Sequence, residues 1–227
     1  MGYSLLSYPA ETRRPTWPLI ADDLFRVAHD DWGKNRLHPD VVGIGLGAAL
    51  LGELLITGYV SIRDDLLIPV QYTDPIDELA AAVLHHILTE PRPLGVRTWL
   101  RYLATSGLTG GPIYEHVARR LERGGHVQAE KRGLLRRKVR YVPRDFNTAA
   151  WPWARISAHL RRHENLDAAD TILGGLILAT DLHRHVLVGE RSQIEPPLRS
   201  AIAVETPAVG DLLRHAEAAA GNTVITG

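Results

Sequence analysis

The sequence predicts a mainly α protein: a single helical domain with two small β-hairpins, one of them a basic, apolar-tipped, protruding hairpin. Three observations carry this. Apolar residues recur at helical spacing over most of the chain, Gly and Pro cut that pattern into helix-sized segments, and only 59–70 and 126–142 show short strand-like runs around a turn. With 227 residues and 45% of them apolar, the chain can bury one sizeable core. The expected division is an irregular N-terminal arm over 1–17, where Pro9 and Pro15 stand, and one helical domain over 18–227.

A first short helix is expected near Ile20 to His29. The second is the best marked, because Pro39 suits a first helical position and Gly58 the left-handed residue just past the end. Its Gly43, Gly45, Gly47 and Gly52 weaken helix propensity but allow a neighbouring helix to approach closely. Tyr59–Ile62 and Leu66–Val70 form the first hairpin around Arg63, Asp64 and Asp65. Asp74 and Pro75 then read as cap and first turn of a helix whose core face is Ile76, Leu79, Ala80, Val83, Leu84, Ile87 and Leu88. Further helices are expected over 94–105 and 112–123, the second stopped by Gly124 and Gly125. After the hairpin at 126–142, Asn147 begins a helix carrying Trp151 and Trp153, and Asp167 caps a long apolar one ending near His185. Pro196 and Pro197 begin a short segment, and Thr206 with Pro207 opens a last helix that closes at Gly221.

Basic and acidic residues cancel at 26 each, so any electrostatic footprint must be local. Cysteine is absent, which removes disulfides, thiolate metal sites and cysteine nucleophiles together and fits a reducing cytosol. Only Lys34, Lys131 and Lys138 of the basic residues are lysines, a bias of GC-rich bacterial genomes more than a functional signal. No run of signal-peptide type opens the chain, and the apolar stretch Val41 to Ile56 is interrupted by Glu53 and too short for a span of roughly 20 residues. A cytoplasmic protein that meets a membrane only from its surface is the expectation.

Two motifs mislead. Gly43-Ile-Gly45-Leu-Gly47-Ala48 satisfies a dinucleotide fingerprint, but Pro39 and Asp40 leave no room for the buried strand that must precede it. His85-His86 and His183-Arg184-His185 invite a metal, yet neighbouring helical residues point about 100° apart, no acid or histidine lies one turn from His85, and Glu90 alone lies one turn from His86, too few for a metal-ligand face. No nucleophile elbow occurs either, so no enzyme, cofactor or metal is expected.

The informative cluster is the second hairpin. Between Lys131 and Arg144 stand Lys131, Arg132, Arg136, Arg137, Lys138, Arg140 and Arg144 with no acid, around Leu134-Leu135 at the tip. A tip exposed only to water would rather carry Gly, Asn or Asp. Basic residues near an anionic bilayer are worth about 1 kcal/mol each, and each leucine roughly 1.5 to 3 kcal/mol at full burial, a two-signal anchor. The expected membrane contact is therefore Lys131, Arg132, Leu134, Leu135, Arg136, Arg137, Lys138 and Arg140. The same order of elements, helix, turn, helix 112–123 and basic hairpin as wing, is that of a winged-helix DNA-binding protein. Against that alternative, Glu115 and Glu122 share the helix with Arg119, Arg120 and Arg123, and nucleic acid is not the expected partner.

Several of these stretches also resemble the Golgi phosphoprotein 3 family and its bacterial relatives. Ala21-Asp-Asp-Leu-Phe-Arg-Val-Ala28 looks like the opening helix, and Gly45-Leu-Gly-Ala-Ala-Leu-Leu-Gly-Glu-Leu-Leu-Ile-Thr-Gly-Tyr-Val60 is similar to the glycine-rich helix and following strand. Asp74-Pro-Ile-Asp-Glu-Leu-Ala80, Val117-Ala-Arg-Arg-Leu-Glu-Arg-Gly124 and Leu173-Gly-Gly-Leu-Ile-Leu-Ala179 match later helices in the same order, over roughly residues 20 to 190. The resemblance implies a non-enzymatic, peripheral membrane protein whose eukaryotic members recognise phosphatidylinositol 4-phosphate, with an apolar-tipped hairpin that touches the bilayer or a second copy of the chain. The family's headgroup tryptophan falls by position at His38, and its three arginines at Gly47, Gly110 and Ile113. None is kept, so anionic lipid is the expected partner without that specific headgroup.

Overall fold

The computed structural model describes residues 19–225 apart from Gly110, residues 133–137, Val188 and Glu190. Helix accounts for 62% of the described residues, which settles the class as mainly α, with two separate two-stranded antiparallel hairpins. Among the described residues the order is α1 (Ile20–Ala28), α2 (Pro39–Ile56), β1 (Val60–Arg63), β2 (Leu66–Pro69), α3 (Glu78–Thr89), α4 (Val96–Thr105), α5 (Ile113–Arg123), β3 (Val127–Arg132), β4 (Lys138–Pro143), α6 (Phe146–Arg161), α7 (Ala168–Ala179), α8 (His183–Val186), α9 (Arg191–Ala203) and α10 (Pro207–Ile225).

Helix α2 is the axis, with α1, α4, α5, α7 and α10 packed around it. It is apolar enough and long enough to cross a membrane, yet 78% of it is buried by its neighbours. Its glycines explain how so many helices reach one axis. A Cβ on Gly43 would stand 3.2 Å from Ala104 Cβ, on Gly47 3.2 Å from Leu103 Cβ, and on Gly52 3.0 Å from Ile172. The dinucleotide-like glycines thus lie inside a helix and serve packing. One continuous core runs from Ile20 to Ala219.

Helix α1 has no cap of its own, since Leu19 offers no side-chain acceptor. Glu53, fully buried on α2, supplies one by accepting the Ala21 N–H at 2.9 Å. The neighbouring Asp22 and Asp23 then tie α1 to opposite sides of the fold. Arg120 of α5 reaches Asp22 at 2.7 Å and Asp77 at 2.9 Å. Arg155 of α6 donates from Nη2 to Asp23 Oδ2 at 3.0 Å and from Nε to Asp170 Oδ2 at 3.0 Å. Burial pushes the Asp22 carboxyl up despite Arg120, while Asp22, Glu53 and Asp77 together overcome burial and raise Arg120.

Four boundaries differ from the sequence expectation. Helix α3 begins at Glu78 with Asp77, not Asp74, as cap: the Asp77 carboxylate accepts the Ala80 N–H at 2.9 Å while also holding Arg120, and Ile76 is left 77% exposed. The apolar helix over α7 stops at Ala179, because Asp181 turns left-handed (φ 61°) and the chain restarts as α8. Pro196 and Pro197 lie inside α9, where the carbonyls they leave unbonded belong to exposed Ser192 and Gln193, and Glu195 bridges Arg191 at 2.6 Å and Arg199 at 2.8 Å across them. Helix α10 runs past Gly221 to Ile225.

Candidate membrane-contact surface

Strands β3 and β4 pair from Val127↔Pro143 to Arg132↔Lys138. Five residue steps separate these ends, a reach of about 16 Å. Exposure changes along that reach. Val127 and Tyr141, near the body, are 3% and 5% exposed, whereas Val139, two residues further out, is 44% exposed and its partner Lys131 is also exposed. The hairpin therefore leaves the core and carries its inward, partly apolar face into solvent.

Its base is anchored by rings. Tyr141 donates from its hydroxyl to Glu115 Oε2 at 2.9 Å and lies edge-on to Phe25 and Tyr114. Burial, reinforced by Glu115, pushes the Tyr141 phenol up to about 12, and burial raises Tyr114 as well. His29 closes the cluster, stacked on Phe25 at 4.0 Å, with Nδ1 2.6 Å from the Phe25 carbonyl and Nε2 2.9 Å from the Tyr114 hydroxyl. Burial drives His29 down to about 4, so it is neutral at physiological pH.

Of the expected contact residues, Lys131 and Arg140 stand on the two strands, and Arg132 and Lys138 are paired where the described strands end. Leu134, Leu135, Arg136 and Arg137 lie outside the described residues. The register puts Glu130 directly opposite Arg140, an acid just outside the Lys131–Arg144 stretch that offsets one of its charges. Among the family's headgroup positions, His38 is the exposed N-cap of α2, Gly47 packs on Leu103, Ile113 is fully buried, and Gly110 lies outside the described residues. His85 is exposed and His86 bonds Tyr102 through Nδ1 at 3.1 Å. Among the described residues no group of three or more His, Asp or Glu is placed to hold a metal.

Sequence reasoning passed over a second apolar group around the hairpin. Trp32 is 71% exposed on a turn that Asp30 holds by accepting the N–H groups of Trp32 at 3.0 Å and Lys34 at 2.8 Å. That turn is seated on β4, since a Cβ on Gly33 would lie 2.6 Å from the Tyr141 carbonyl oxygen. Phe146, 57% exposed, opens α6 three residues after β4 ends. The Asp-Asp-Trp-Gly order, a turn signature with an aromatic inside it, was the signal available in the sequence.

These features define a class: a helical protein built on one buried axial helix, with a hairpin standing off its surface. The profile of the Golgi phosphoprotein 3 (GPP34) family matches residues 20–220, and the chain belongs to that family. The family is in general one of non-enzymatic phosphoinositide-binding proteins. Comparison with individual curated proteins gave no match.

Proposed function

We infer that the protein is a non-catalytic, cytoplasmic protein that associates peripherally with anionic lipid surfaces through the β3–β4 hairpin, residues 18–227 acting as one domain. The observation that carries this reading is the gradient of exposure along the described strands, from buried Val127 and Tyr141 to exposed Lys131 and Val139, so that β3 and β4 leave the core with Lys131 and Arg140 on them. Trp32 and Phe146 support it, because amphipathic and aromatic rings favour the headgroup level of a bilayer. The same hairpin is also the surface offered to a second copy of the chain.

The test is co-sedimentation with vesicles of matched size, neutral or containing phosphatidylglycerol. Arg136→Glu with Arg137→Glu should weaken binding to the anionic vesicles by about 2 kcal/mol or more, counting about 1 kcal/mol per basic residue at the surface. Neutral vesicles should bind poorly in both cases. Equal sedimentation of wild type and double variant with anionic vesicles would overturn the reading.

A further inference from the structure

Helix α4 contains two arginines and no acid: Arg97 in its first turn and Arg101 one turn on. Both are exposed, and among the described residues neither guanidinium has an ion-pair or hydrogen-bond partner. The placement is unfavourable for the helix twice over. A cation in the first turn opposes the helix dipole, and like charges four residues apart repel. Arg120 shows the contrast, since it also lines a cleft but has both faces of its fork taken by Asp22 and Asp77.

Arg97 and Arg101 line one cleft of about 370 Å³ between α4, the first turns of α2 and the end of α10. Ile44 and Ala219 give it apolar wall, and among the described residues Asp40 is the one acid that lines it. Two guanidinium forks present more donors than the two oxygens of a carboxylate can accept, whereas a phosphate group offers three or four oxygens around one centre. Asp40 offsets one of the two positive charges, which suits an anion of low charge over a polyanion. The apolar wall leaves room for the carbon part of an ester.

We propose that this cleft is a phosphate-ester site in which Arg97 and Arg101 hold the phosphate. It uses none of the hairpin residues, so it stands or falls separately from the membrane contact. Glycerol 3-phosphate and phosphatidic acid present the same chemistry from a soluble and a lipid source. The test compares wild type with Arg97→Gln/Arg101→Gln, measuring thermal unfolding with glycerol 3-phosphate against chloride at equal ionic strength. Vesicle binding is measured in parallel with phosphatidylcholine doped with phosphatidic acid. Without ligand the double variant should unfold at or above the wild-type temperature, because a repulsion has been removed. With ligand, affinity should fall at least tenfold in the double variant, about 1.4 kcal/mol. A loss confined to glycerol 3-phosphate assigns a soluble ester, and a loss with the doped vesicles assigns a lipid headgroup. Equal responses of wild type and double variant in both arms would overturn the site, while Arg136→Glu/Arg137→Glu, which leaves the cleft intact, reports on the hairpin alone.

Discussion

His29 makes the fold's stability depend on acidity in a calculable way. In the unfolded chain its imidazole titrates near 6.5, and in the folded protein burial holds it at about 4. A histidine depressed in the folded state leaves stability intact above the unfolded value and removes it as pH falls, because the unfolded chain takes up the proton first. The shift is about 2.5 units at 1.36 kcal/mol each, so the loss approaches about 3 kcal/mol at pH 4 and below. By about pH 5 it is already about 2 kcal/mol. For a chain of this size that is a fall of about 4 to 8 °C in the unfolding temperature, out of a total stability of about 5 to 15 kcal/mol. Other groups titrate in the same range, so the measurement is a difference: urea unfolding of wild type and His29→Gln between about pH 7 and pH 5. The two curves should converge by about 2 kcal/mol as pH falls, whatever the offset between them at pH 7. Parallel curves would refute the account of His29 as a neutral ring held by Phe25 and Tyr114.

Replacing Arg120 with Leu should cost about 3 to 5 kcal/mol in denaturant titration, because Asp22 is left buried without its partner. Gly33→Ala should destabilise by about 2 kcal/mol or more by the same assay, from the left-handed φ of 68° and the 2.6 Å approach to the Tyr141 carbonyl, and a neutral outcome would unseat the turn from β4. In competition between vesicles of equal charge density, phosphatidylinositol 4-phosphate should be preferred by less than tenfold, about 1.4 kcal/mol, because neither Gly47 nor Ile113 brings a basic side chain. Against duplex DNA the protein should show no specific site above the salt-dependent background, and tight, specific binding that survives Leu134→Ser with Leu135→Ser would favour the winged-helix alternative.

What could be read from the sequence was what depends on near neighbours. Pro39 and Gly58 bracket α2, and Asp64-Asp65, both left-handed, turn the first hairpin, because each signal acts on its own backbone. The packing use of the α2 glycines was also legible, since nothing else favours four of them in one helix. The rest depends on partners far along the chain. Asp77 wins the α3 cap because Arg120, forty-three residues later, is there to share it. Glu53 looks in the sequence like a flaw in an apolar run, and its purpose appears only when the start of α1 arrives beside it. The seating of Trp32 on β4 is equally non-local. At the candidate surface, the composition of the hairpin could be read directly, but the Glu130–Arg140 register could not, because pairing depends on where the turn falls.

The burial of α2 also says something about how the protein comes to exist. Its covering helices α7 and α10 are encoded more than a hundred residues downstream. At a synthesis rate of about 5 to 20 residues per second, the ribosome needs several seconds or more to supply them after α2 has emerged. Throughout that interval α1, α4 and α5 can already pack on α2, but the faces that α7 and α10 will cover stay open, leaving part of a long apolar helix of the kind that insertion machinery and chaperones both recognise. Glu53, placed inside that helix, is then a charge that disfavours insertion before it becomes a cap for α1, so one side chain helps keep the unfinished chain out of the bilayer and later helps build the finished fold.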